Sequence, residues 1–119
     1  MATPEIFFAG QDLSLQLFKA VRSALDGIGP AEIHVTKSQI AFRRRRAFAW
    51  VWMPGQYLRG KTAPLVLTLA FRYRSISPRW KEIVEPAPGR YTHHLELYTI
   101  DDIDEEVRSW LREAWTAAV

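Results

Sequence analysis

The sequence predicts an α+β fold: a single domain over residues 1–119, with a mainly antiparallel sheet of four to five strands and the N- and C-terminal helices packed on one face. Three observations carry that reading. Apolar residues recur at three and four near both ends, the spacing of a helix face, and alternate in the middle, the spacing of a strand. The middle segments are joined by connections that are short or lack a full crossover helix, which antiparallel pairing allows. Finally, 119 residues, 48% hydrophobic and 24% charged, are ordinary globular usage and enough for one core without metal or disulfide support.

Residues 1–11 read as an arm whose Ile6, Phe7 and Phe8 dock on the core. Over 13–26, Leu17, Phe18, Val21, Ala24, Leu25 and Ile28 fall on one helical stripe, with Asp12 as the cap. Gly27 in a left-handed conformation and Gly29-Pro30 would end that helix. A short strand is expected at 33–35, then a hairpin whose second strand sets Phe48, Trp50 and Trp52 on one face and Ala47, Ala49 and Val51 on the other. Residues 54–64, rich in Gly and Pro, read as an exposed loop. The run 65–73 alternates Leu65, Leu67, Leu69, Phe71 and Tyr73 with Val66, Thr68, Ala70 and Arg72, so only one face demands a core.

Residues 74–90 carry prolines at 78, 86 and 88 and read as a connection, with Ser77-Pro78 starting one or two helical turns. Residues 91–98 form the next long strand. The last helix is capped by Thr99 or Asp101, has acids at its positive end, and lines Ile103, Val107, Trp110, Leu111, Ala114 and Ala118 along one face.

The absence of cysteine excludes disulfides, thiolate catalysis and cysteine-ligated zinc, and makes a reducing compartment the simplest setting. No basic leader and no apolar run near the roughly 20 residues of a membrane span is present, so a cytoplasmic chain without a membrane partner is expected. The net charge is +3 and the pI about 9.5. Basic residues crowd 37–81, whereas Asp101, Asp102, Asp104, Glu105 and Glu106 form an acidic block, a polarity suited to nucleic acid, an acidic protein surface or a second copy.

Four motifs bear on chemistry. Arg43 to Arg46 lie between two aromatic strands. Neighbours on a strand point to opposite faces, so two of the four, Arg43 and Arg45, are expected beside Trp50 or Trp52 on the uncovered face. Guanidinium forks grip phosphates and rings accept unstacked bases. The plainer alternative is a solubilising hairpin tip that discourages edge pairing. Next, Gly55 to Thr62 spells the phosphate-loop pattern G-x-x-x-x-G-K-[ST]. That motif works where a helix begins at the Lys, and here a strand is expected instead, so the match reads as accidental.

His93 and His94 with Glu96 form the third motif. Only His94 and Glu96 share a strand face, as a base and its orienting carboxylate with Arg72 or Lys37 holding an anion, or simply as a pair steadying the sheet. Two such ligands make no zinc site, and neither a metal nor a cofactor is expected. The fourth, Lys37-Ser38, has no identifiable oxyanion hole or third group, so a turn is the better reading.

The stretch VTKSQIAFRRRRAFAWVW, the later HHLEL segment and the acidic start of the last helix together resemble a bacterial family identified as domain of unknown function 5655, over about 15–117. The resemblance implies a fold and boundaries. Its members occur alone or joined to other domains, some nuclease-like, and it brings no assigned activity.

The expected function is therefore a non-enzymatic binding module that recognises an anionic partner, nucleic acid or a phosphorylated ligand, with Lys37, Arg43, Arg45, Trp50, Trp52, Arg72 and His94 as its contacts. The alternatives are a small-ligand binder or enzyme with a polar pocket around His94, Glu96 and Arg72, and a protein interaction domain without a ligand site.

Overall fold

The computed structural model describes residues 2–119. A short α1 (Pro4–Phe7) and a long α2 (Asp12–Asp26) precede six strands, β1 (Glu32–Val35), β2 (Ile40–Arg43), β3 (Ala47–Trp52), β4 (Leu65–Phe71), β5 (Glu82–Ala87) and β6 (Arg90–Leu97), and α3 (Glu105–Ala117) closes the chain. The strands lie in the order β1-β2-β3-β4-β6-β5, every neighbour antiparallel. The class expected from periodicity is the class observed, with one strand more than expected.

That extra strand is β5. It occupies the segment read as a connection with helical turns, and no helix forms after Ser77-Pro78. Its residues are mostly exposed, so it shows no core-facing alternation. Pro86 is tolerated because β5 is an edge strand, and its pairing with β6 slips between Val84 and Ala87 at that proline.

One layer of helix covers one face. Along β4, Leu65, Leu67, Leu69 and Phe71 enter the same buried cluster as Leu17, Phe18 and Val21 of α2 and Val107, Leu111 and Ala114 of α3. Each Val, Leu or Phe among them contributes about 1.5–3 kcal/mol on leaving water. Phe8 completes the cluster from the arm and Phe7 packs at its margin, whereas Ile6 is exposed. The arm thus docks through two of its three apolar residues.

Several local details differ from the sequence reading. The residue before α2 is Gln11, and Asp12 is already helical rather than a cap. Gly27 has right-handed φ and ψ. Gly29 is the glycine the fold needs, because a Cβ there would stand 2.3 Å from Cζ2 of Trp115. The cap of α3 is Asp104, which accepts the Val107 N–H at 3.1 Å, while Thr99 and Asp102 cap the short 3₁₀ turn before it.

The second strand of the hairpin carries a bulge. Phe42 pairs with Ala49 and Arg43 with Ala47, which leaves Phe48 without an opposite residue. A bulge breaks the two-residue alternation, and Phe48 joins the buried cluster. It therefore does not share the uncovered face with Trp50 and Trp52, as strict alternation had predicted.

Candidate ligand-binding site

On the face turned away from the helices, β4 offers Val66 and Thr68, both buried, although alternation had left this side without demand for a core. They are buried because larger side chains on neighbouring strands lean over them. Register sets Trp50 opposite Thr68 and Trp52 opposite Val66 on one flank, and His94 opposite Thr68 and Glu96 opposite Val66 on the other.

The result is an open cavity of about 380 Å³, lined by Ser38, Gln39, Trp50, Trp52, Tyr57, Thr68, Thr92 and His94. That volume falls within the roughly 300–1,000 Å³ typical of small-ligand sites. Its walls are rings: Trp52 lies 5.9 Å from His94, edge-on, and 6.4 Å from Tyr57, tilted.

A hydrogen-bond chain fixes the floor. Trp52 Nε1–H donates to Thr68 Oγ1 at 2.9 Å, and Thr68 Oγ1 lies 2.7 Å from His94 Nδ1. Indole nitrogen only donates, so the hydroxyl accepts it, and its own proton is free to be directed at Nδ1. His94 has its pKa lowered by burial, a shift that Glu82 on β5 opposes. The neutral ring, its tautomer assigned from this network, carries its proton on Nε2. Ser38, Gln39 and Thr92 add polar groups at the rim of the cavity.

The residues singled out in the sequence divide among several places. Trp50, Trp52 and His94 meet in the cavity; Lys37, Arg43, Arg45 and Arg72 do not line it. Lys37, Arg43 and Arg45 are exposed. His94 bonds Thr68 rather than Glu96, so the expected base and orienting carboxylate are not coupled. No group of three or more His, Asp or Glu among the described residues is placed to hold a metal ion. No helix among them is long and apolar enough to cross a membrane.

Within the arginine tip, the Arg44 side chain and the Arg45 backbone bind the end of α3. Arg44 lies over the Trp115 ring, 3.7 Å from its centroid, and donates to the Trp115 carbonyl at 3.2 Å. A cation there meets a ring face and the negative end of α3 together. Arg45 N–H donates to the Ala118 carbonyl. The acidic block likewise has a partner within the chain: Arg79 donates to Asp104 at 3.0 Å and to Glu106 at 2.8 Å.

The Gly55–Thr62 loop leads into β4, so no helix starts at Lys61 to hold a phosphate. It serves the cavity differently, by supplying Tyr57. Sequence reasoning missed Tyr57, Gln39, Thr68 and Thr92, since an aromatic in a Gly-rich loop and a polar residue on a strand's second face carry no periodic signal.

A family model described as Domain of unknown function (DUF5655) matches residues 5–118. The match takes in nearly the whole chain, and the protein belongs to that family. No curated protein and no solved structure matches it significantly.

Proposed function

We propose that this chain is a non-enzymatic binding module that takes an unstacked nucleobase, as part of single-stranded nucleic acid, on the uncovered face of its sheet. The observation that supports the reading is the cavity walled by Trp50, Trp52, Tyr57 and His94 above a hydrogen-bonded Thr68 floor. Flat rings accept bases of any sequence by stacking, worth about 1–3 kcal/mol per base. Gln39 and the Nε2–H of His94 bring donors and an acceptor suited to a base edge. Recognition here is by stacking rather than by charge, since no cationic side chain lines the cavity.

The test is tryptophan fluorescence titrated with oligothymidylate and oligoadenylate. Binding should quench the signal, and Trp50→Ala should weaken affinity by roughly 5- to 150-fold, the equivalent of one stacked base. Absence of quenching by either oligomer, or equal affinity in the variant, would overturn the reading.

A further inference from the structure

A second concavity, of about 710 Å³, lies at one end of the sheet. Three arginines from three separate segments line it: Arg46 from the turn before β3, Arg72 just after β4, and Arg90 opening β6. The rest of the lining is apolar, small residues such as Ala47, Ala70 and Gly89 beside Phe48 and Phe71.

Among the other arginines, Arg79 and Arg108 pair with carboxylates and Arg44 lies over Trp115. Arg46, Arg72 and Arg90 form no ion pair among the described residues. All three are exposed, so an anion entering the cleft meets cationic side chains without carboxylate partners.

We infer that this cleft is a binding site for linked phosphoryl groups. Three positive charges exceed what a lone carboxylate neutralises and match a diphosphate or a run of phosphodiesters. Guanidinium forks meet phosphoryl oxygens in bidentate pairs, which ammonium groups do not. The site adjoins the aromatic cavity but shares no lining residue with it: Ala70 is two residues from Thr68 on β4 and Arg90 two from Thr92 on β6, about 7 Å along each strand. Its validity does not depend on the base-binding reading.

The arginine Nε–H resonances of the intact protein, titrated with sodium pyrophosphate at low ionic strength, test the assignment. Arg46, Arg72 and Arg90 should shift together and saturate. Arg90→Gln and Arg72→Gln should each weaken the dissociation constant about tenfold or more, the scale of one charged hydrogen bond. Arg59→Gln, in the exposed loop away from the cleft, should leave it unchanged.

Unsaturating shifts spread evenly over all exposed arginines, or full affinity in both cleft variants, would overturn the site. A parallel titration with hexathymidylate distinguishes its sources. Loss of hexathymidylate binding in Arg90→Gln supports a nucleic-acid backbone as occupant, and pyrophosphate binding alone supports a free or nucleotide-borne diphosphate. Trp50→Ala must not alter the pyrophosphate response, so failure of the aromatic cavity and failure of the arginine cleft read out separately.

Discussion

His93 and His94 are chain neighbours on β6 that live in opposite halves of the molecule. His93 points into the helix-covered side, fully buried, with Phe71 and Trp80 each 4.9 Å away, edge-on. Its Nε2 accepts the Ser75 N–H at 3.0 Å, which leaves Nδ1–H to donate to the Tyr91 carbonyl at 3.3 Å. His94 faces the other way, lines the cavity and, in the tautomer assigned above, accepts the Thr68 hydroxyl at Nδ1 and carries its proton on Nε2. The two rings hold opposite tautomers because their partners differ. The covered side uses its histidine to bind backbone, and the uncovered side keeps a donor free.

The largest contrast should come from β4, where the two faces alternate residue by residue. Leu67→Ala removes methyl groups from the covered side and should cost about 2–5 kcal/mol in urea unfolding. Should that cost fall below 1 kcal/mol, the helix-covered side would not be the stabilising core.

Acid should strike the same side next. Burial lowers the pKa of His93, and a proton on Nε2 would remove the acceptor of the Ser75 N–H. With the folded pKa below the unfolded value of about 6.5, the unfolded state binds the proton first. Stability is therefore fully present above pH 6.5 and is lost as pH falls below it, by at most about 1.4 kcal/mol per pH unit for one histidine. His93→Gln should reduce the slope of urea midpoint against pH between 6.5 and 5. An unreduced slope would assign the titration to another group.

The uncovered side answers to the loss of a single hydroxyl. Thr68→Val keeps the shape but strips the hydroxyl from Trp52 Nε1–H and His94 Nδ1, at a cost of about 1–3 kcal/mol if both stay dry and less if water reaches them. The nitrogen resonances of His94 should move toward a mixture of tautomers. Unmoved resonances would mean that Thr68 does not set the ring's state.

The sequence made some of this legible and left other parts dark for definable reasons. Strong periodicity marked α2, β4 and α3, because each presents one apolar stripe to a single core. β5 escaped notice because an edge strand with Pro86 buries too little to impose a pattern. The turn of Phe48 into the core was invisible because a bulge shifts parity without leaving a compositional trace. At the site, Trp50, Trp52 and His94 followed from alternation. The arginines did not, since residues in turns obey no period: Arg44 went to Trp115 and Arg46 to the cleft with Arg72 and Arg90.

The proline in β5 reaches beyond the domain itself. A sheet with free margins invites strands from other copies, and this one has two, β1 and β5. At β5, Pro86 offers no amide hydrogen and the slipped register breaks the row of donors and acceptors, so an incoming strand finds no continuous template. Fibril-like growth from copy to copy is left with the four residues of β1, too short a margin to propagate readily.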